Sequence, residues 1–256
     1  MSQSLLMREL SYPQSMPIPD LSVVMPCFNE QGQIEALLKD WSQTFDAEKL
    51  SYEIIVINDG SLDGTSRVLD RLRKEIKGLR IVHQLNSGHG KAVLRGYELS
   101  RAEWVLQLDS NGRFEPSDFE LFWRGRVDYD LIVANRTHRL DPLLRRLSVE
   151  MLGQFIHSLF KVDIGDPDVS FRLFRRVPVL DKVKLIPKAL LGVNLAMTIL
   201  LKLSSPERVL DVRVPYRVRS LHKGRMGVFE CVKIFFGEIS ELVKLRFSIK
   251  NTVSDQ

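Results

Sequence analysis

The sequence predicts an α/β chain: a doubly wound, mostly parallel sheet with helices on both faces, followed by a C-terminal amphipathic helix. Three observations predict it. Short runs rich in Val and Ile alternate with stretches of helical periodicity, the pattern of successive βαβ units. The runs are continuously apolar rather than alternating, as strands covered on both sides are. A polar cluster follows each of the first four runs, on the edge where a doubly wound sheet gathers its ligand-binding residues.

In chain order, "LSVVMP" (21–26), "YEIIVIND" (52–59), "LRIVHQL" (79–85), "AEWVLQLD" (102–109) and "YDLIVAN" (129–135) read as strands. Helices are expected at about 30–45, 65–77, 89–101 and 116–124. The second helix follows the turn "GSLDGT", whose Asp63 or Thr65 can cap it. After residue 140 the alternation weakens. "DPLLRRLSVEMLGQFIHSLF" reads as a helix capped by Asp141 with Pro142 at its first position. "DIGDPDVSFRLFRR" reads as a polar loop entering a short strand, Leu185–Leu203 as a buried helix, and "ERVLDVRVPYRVR" follows. From Val228 onward, Phe229, Val232, Phe235, Phe236, Ile239, Leu242 and Val243 recur at helical spacing with charged residues between them. No internal repeat, low-complexity tract or clear linker appears. Residues 1–19 read as a flexible lead-in without the basic start and apolar centre of a secretion signal.

Size alone, 256 residues, fits one large α/β domain or two small ones. Thirty-seven basic against 32 acidic residues give a formal charge of +5, which suits anionic partners without choosing among them. Nucleic acid is the poorest of these, because the surplus is modest and no nucleic-acid motif is present. Cys27 and Cys231 lie far apart and form neither a metal-ligand spacing nor a disulfide framework, which makes a reducing compartment the default. No segment reaches about 18 uninterrupted apolar residues, so no membrane span is expected. "SGHGK" lacks the spacing of a nucleoside-triphosphate loop, and that activity is rejected. His89 within it reads as a loop histidine rather than a ligand.

The polar clusters carry the chemistry: "CFNE" after the first strand, "NDGS" ending the second, "NSGHGK" after the third and "DSNGR" ending the fourth. Asp, Asn and Gly are also the common residues of βα turns, so any single cluster has a structural reading. Four on one edge point to a site.

"LSVVMPCFNEQGQIEALL", "YEIIVINDGSLDGT", "LNSGHGKAVLRGYELSRAEWVLQLDSNGRFEP", "GDPDVSFRLFRR" and "RVLDVRVPYRVR" occur in order. Together they resemble the family 2 glycosyltransferases of the GT-A fold, a Rossmann-like arrangement, and within them the dolichyl- and polyprenyl-phosphate sugar synthases. The resemblance covers roughly residues 20–225, which implies a single GT-A domain at 20–225 and a C-terminal amphipathic helix and tail at 226–256. It implies that Pro26, Phe28, Glu30, Asp59 and Asp109 bind the nucleotide sugar, Glu30 near the base or ribose and Asp59 accepting from a ring N–H of the base. Uracil and guanine both offer that N–H, so a UDP- or GDP-linked donor remains open. Asp109 would face the diphosphate and, with Asn111, a divalent metal, Mg or Mn. Arg136, Arg145 or Arg146, Arg172 and Arg219 fall where this branch places cations for phosphate groups, and Asp166 lies in the loop near the acceptor. Asp109, Arg219 and Asp166 are thus the candidate catalytic residues.

Breaking a sugar–phosphate bond builds negative charge on the departing diphosphate, which a metal or fixed cations stabilise. Arginine suits phosphate because its planar fork bonds two oxygens at once. A phosphate acceptor is already an anion and needs no general base. That agrees with the absence of a convincing base between 160 and 180, where Asp163, Asp166 and Asp168 are the available carboxylates.

One stretch departs from the family pattern, which has Asp at 111 and often Gln at 113; here stand Asn111 and Arg113. A neutral amide weakens binding of a hard cation. Three readings follow: Asp109 and the substrate's phosphates hold the metal, Arg113 replaces it and makes the metal dispensable, or the site binds donor without turnover. The expectation is an inverting glycosyltransferase moving a sugar to a polyprenyl phosphate or related lipid-linked acceptor. Its rivals are transfer to a sugar or protein hydroxyl and a non-catalytic nucleotide-sugar-binding protein. A lipid-linked acceptor implies a cytoplasmic protein at the cytoplasmic face of a membrane, the C-terminal helix lying on the bilayer or packing in a homo-oligomer.

Overall fold

The structure is a computed structural model that describes residues 17–137, 143–167, 169–186, 192–215 and 228–254. The elements run β1 (Leu21–Cys27), α1 (Ile34–Ala47), β2 (Tyr52–Asp59), α2 (Thr65–Glu75), β3 (Leu79–Gln84), α3 (His89–Leu99), β4 (Trp104–Gln107), α4 (Phe119–Gly125), β5 (Leu131–Thr137) and α5 (Leu143–Phe160). They continue with β6 (Arg172–Arg175), α6 (Arg176–Val183), α7 (Val193–Ser204), β7 (Val209–Pro215) and α8 (Val228–Ser254). Seven strands form one sheet in the order β3-β2-β1-β4-β6-β5-β7. It is mostly parallel; the antiparallel pairings both involve β6, which inserts between β4 and β5 with Leu173 opposite Leu106 and Ile132.

Both faces of the sheet are covered, and β2 shows why its sequence lacks alternation. Ile54 and Val56 join the large core that includes Leu69 and Leu72 of α2, whereas Ile55 and Ile57 pack with Ala92 of α3 on the opposite side. Helix α3 sits directly on β1. A Cβ on Gly96 would come 2.2 Å from Val24 Cγ1, so only glycine permits this approach. An aromatic cluster joins α1, α4 and the residue before β6: Trp41 contacts Phe45, Phe119 and Phe171, and Phe45 contacts Phe119. Phe114 stacks on Phe171 with centroids 4.7 Å apart, anchoring the chain just beyond the end of β4.

The order 3-2-1-4 means the chain reverses its direction of travel across the sheet between β1 and β4, which makes that gap the topological switch point. Pro26 widens it. Val24 O accepts from Leu108 N, so the backbone of Val24, and by alternation that of Pro26, faces β4. Pairing between β1 and β4 ends at Val24–Gln107, so a proline without an N–H falls where no ladder bond is due. The two strands part there and leave a crevice at their carboxyl ends.

Three segments differ from expectation. The helix expected at 185–203 begins at Val193; residues 187–191 lie outside the described residues. Arg176–Val183 is a helix although Pro178 stands in it. Pro178 lies in the first turn, where backbone N–H groups have no helical partner and a proline removes nothing. The strand expected to end at Asp109 pairs only to Gln107, which leaves Asp109 on the loop above the sheet. Among the described residues no helix is long and apolar enough to cross a membrane.

Asp130 ties the start of β5 to the turn before β7, accepting from Arg208 Nε at 3.1 Å and Nη2 at 2.9 Å. The Arg208 hydrogen bonds hold the Asp130 carboxyl below its ordinary value against the opposing effect of partial burial. A carboxylate depressed in the folded state stabilises the fold above its unfolded pKa, and that contribution disappears as pH falls through the folded value. Asp130→Asn is therefore expected to lower the urea midpoint at neutral pH. Unfolding curves across a pH series should show the difference from wild type shrinking below about pH 4.

Candidate nucleotide-sugar site

Three loops meet at the carboxyl edge of β1, β2 and β3, and their hydrogen bonds knit them together. Asn29 adopts φ 55, a left-handed conformation that asparagine tolerates, and its Oδ1 accepts from Leu62 N at 2.8 Å. Asn29 N donates to Ser61 Oγ at 3.0 Å and Glu30 N to Thr65 Oγ1 at 2.9 Å. Asp63 in turn accepts from Thr65 N at 2.9 Å and Gln31 N at 3.3 Å, tying the start of α2 to the chain after "CFNE"; the N-cap position itself is Gly64, not Asp63 or Thr65, and no side chain caps the helix. Gly60, at φ +74, lies against the third loop, where a Cβ would come 2.6 Å from Asn86 N. Gln33 Nε2 donates to Glu30 and, at 3.1 Å, to Ser110 O, drawing in the loop after β4.

Asp59 is buried and spends its carboxylate on the third loop. Oδ1 accepts from Gln84 Nε2 at 2.7 Å, Ser87 N at 2.9 Å and Ser87 Oγ at 3.1 Å, and Oδ2 from Gly88 N at 2.9 Å. Burial works to raise its pKa, but these donors outweigh it and hold the carboxyl below its ordinary value. Asp59→Ala is expected to cost about 2–3 kcal/mol. The loss should read out as faster amide hydrogen exchange at Ser87 and Gly88 than at the core of β2.

Asp109 sits across the crevice. Its Oδ1 lies 3.0 Å from His89 Nε2 and its Oδ2 accepts from Asn111 Nδ2 at 3.2 Å, while Asn111 Oδ1 accepts from Arg113 N at 3.2 Å. Burial pushes the Asp109 pKa up, yet the His89 contact, the Ser170 hydroxyl and the nearby Arg113 charge together leave it below the usual range. The residue is an anion in the folded protein. Cys27 behaves oppositely: burial and Glu30 push its thiol up to about 12, so it is a packed apolar group and not a nucleophile.

The resulting cleft has a volume of about 270 Å³ and is lined by Pro26, Phe28, Glu30, Asp59, Asp109 and Asn111 together with Asn86, Gly88 and His89. Six of the residues singled out in the sequence thus share one cavity. A larger, open depression of about 470 Å³ between α1 and residues 114–117 is lined by Asp40 and Glu115 and by no basic side chain, which makes it a poor place for a phosphate.

The other expected residues lie elsewhere. Arg136, near the end of β5, bonds Asp166 through Nε to Oδ2 at 2.5 Å and Nη2 to Oδ1 at 2.9 Å, and both side chains are buried. Arg172 is fully buried; Nη1 donates to Asn194 O at 2.7 Å and Thr198 Oγ1 at 3.2 Å, and Nη2 to Val169 O. Burial drags its pKa down, against the opposing pull of Tyr97, Asp109 and Asp166. Its guanidinium braces β6 against α7 instead of facing an open acceptor site. Asp163 is exposed and contacts His157 at 2.7 Å. Arg145 and Arg146 lie in α5 with side chains outside the described residues, as Asp168 and Arg219 lie outside them altogether.

His89, expected to be a loop histidine, is the first residue of α3 and the partner of Asp109. Its signal was position, since it closes a polar cluster on the same sheet edge as Asp109.

The two residues expected to hold a divalent cation fit one poorly. Both Asp109 oxygens and both polar ends of the Asn111 amide are engaged within the protein. Among the described residues no group of three His, Cys, Asp or Glu side chains converges as cation ligands, and hard divalent ions require several oxygen donors.

Comparison with known proteins follows this geometry. The sequence model of a family described as Glycosyl transferase family 2 matches residues 22–179. The chain belongs to this family. Among curated relatives it is 28% identical over 160 residues to an undecaprenyl-phosphate 4-deoxy-4-formamido-L-arabinose transferase of Aeromonas hydrophila, covering 61% of this chain and 49% of that protein. It is 29% identical over 176 residues to a dolichyl-phosphate beta-glucosyltransferase of Dictyostelium discoideum, covering 61% of this chain and 54% of that protein. The chain thus spans about half the length of these relatives. Glucosyl-3-phosphoglycerate synthase of Mycobacterium tuberculosis, solved with UDP, superposes with a TM-score of 0.66 at 19% identity, covering 89% of this chain and 80% of that one. The same enzyme has been solved with Mn2+, UDP-glucose and phosphoglyceric acid. At that identity the likeness establishes the GT-A fold of this family 2 chain.

Proposed function

We propose that this family 2 chain is an inverting glycosyltransferase that moves a sugar from a UDP- or GDP-linked donor to a polyprenyl phosphate or related lipid-linked phosphate. The observation that carries the reading is the single cleft at the switch point, where Phe28, Glu30 and Asp59 adjoin Asp109. Nucleotide recognition belongs on the Phe28–Glu30–Asp59 side, with the base near Asp59, and the diphosphate on the Asp109 side.

An acceptor phosphate oxygen attacks the anomeric carbon from the face opposite the leaving group. The new carbon–oxygen bond forms as the bond to the diphosphate breaks, its electron pair leaves on the nucleoside diphosphate, and no proton has to move. The Arg136–Asp166 pair supports this route over transfer to a hydroxyl. A hydroxyl acceptor needs a base, and Asp166 has both oxygens held by a guanidinium. The names of the undecaprenyl- and dolichyl-phosphate relatives lend further support. Phe236 and Phe247 of α8, each 63% exposed and about three turns apart, share a side with the exposed Lys244 and suit peripheral contact with an anionic bilayer.

The test is transfer of labelled sugar from UDP- and GDP-sugars to a short-chain polyprenyl phosphate presented in vesicles, with a polyprenol lacking the phosphate as control. Product with the phosphate alone supports the proposal. Product with the free alcohol favours a hydroxyl acceptor, and donor binding without product or donor hydrolysis favours a binding protein.

A further inference from the structure

Asp109 and Asn111, the residues expected to hold a divalent cation, are committed to other partners. Asp109 faces His89 at 3.0 Å and the Asn111 amide N–H at 3.2 Å, and the Asn111 carbonyl is held by Arg113 N at 3.2 Å. The chain 111–114 is braced further by Phe114, stacked on Phe171, so this arrangement rests on the core. A divalent ion entering here would displace two hydrogen bonds of its single carboxylate. It would gain a neutral amide in place of a second anion, on a loop whose next charged residue is Arg113, held at its backbone N–H by Asn111 Oδ1. A guanidinium offers the same positive charge permanently, with several donors in a fork matched to phosphate oxygens.

Resting on the nucleotide-sugar reading, we propose that this chain binds the donor's diphosphate without a divalent cation, Arg113 supplying the charge that faces the leaving group. The Asp109–His89–Asn111 network then serves to position the 109–113 loop rather than to receive a cation.

Calorimetric titration of UDP and of GDP into the full chain tests this, in EDTA and in Mn2+. The expected result is a Kd for the preferred nucleotide that changes by less than about threefold between the two conditions. Arg113→Ala should weaken binding in EDTA by about tenfold or more. Asn111→Asp combined with Arg113→Gln should make nucleotide binding depend on Mn2+, with Mn2+ taken up in the presence of nucleotide and followed by electron paramagnetic resonance. Binding by wild type that appears only with Mn2+ overturns the proposal and leaves the nucleotide-sugar reading standing. Unchanged binding by Arg113→Ala in EDTA overturns the assignment of the charge to Arg113. No binding of either nucleotide in either condition overturns the nucleotide-sugar reading, and this proposal with it.

Discussion

Asp166→Ala is expected to lose about 3–5 kcal/mol of unfolding free energy, because it leaves the Arg136 guanidinium buried without its carboxylate. The two form a bidentate pair at 2.5 and 2.9 Å with 3% and 1% of their side chains exposed. Total stabilities of about 5–15 kcal/mol make this about a fifth or more of the net stability. Arg136→Ala should be of similar severity. Replacing both together, as Arg136→Met with Asp166→Leu, should recover much of the loss, since removing a buried pair removes the cost of desolvating it as well. Urea unfolding of the three variants measures this. A single variant within about 1 kcal/mol of wild type would mean that the pair is open to water.

The second large effect falls on turnover. Asp109→Ala should reduce kcat by about 10²-fold or more while leaving the fold intact, because it frees the loop that presents Arg113 to the leaving diphosphate and so misplaces the stabilising charge. Asp109 lies on a loop beyond β4 and contributes no strand pairing, so its removal costs little core. It does organise His89, Asn111 and Ser170 through one carboxylate. Asp109→Asn keeps the shape but only one of the two acceptor oxygens, so its rate should fall between wild type and Asp109→Ala. Single-turnover transfer rates, with circular dichroism to verify folding, distinguish a catalytic loss from a structural one.

Much of the fold could be read from pattern because a parallel strand buried on both sides announces itself: the centres of β1 and β2, Val23–Met25 and Ile54–Ile57, are apolar on both faces, and polar clusters follow each strand where the chain turns. The gathering of Pro26, Phe28, Glu30, Asp59, Asp109 and Asn111 followed from that topology, since every one of them lies at or just past the carboxyl end of a strand. What could not be read was the choice of partners. Nothing local to Arg136 says that its fork faces Asp166 and not a phosphate, and nothing local to Arg172 says that it points at the carbonyls of Val169 and Asn194. Those are tertiary decisions made by the insertion of β6 between β4 and β5, an antiparallel strand in a chain whose earlier pattern was parallel. His89 was hidden for the same reason. Its partner Asp109 lies 20 positions away, brought near because α3, which His89 opens, packs on β1, the sheet neighbour of β4.

The most direct test of the central claim is a crystal structure of the chain soaked with UDP or GDP. The account predicts the nucleotide in the cleft at the switch point, its base beside Asp59 and Phe28 and its diphosphate beside Asp109 and Arg113. A nucleotide bound elsewhere, or this cleft empty at a concentration that saturates binding in solution, would contradict it.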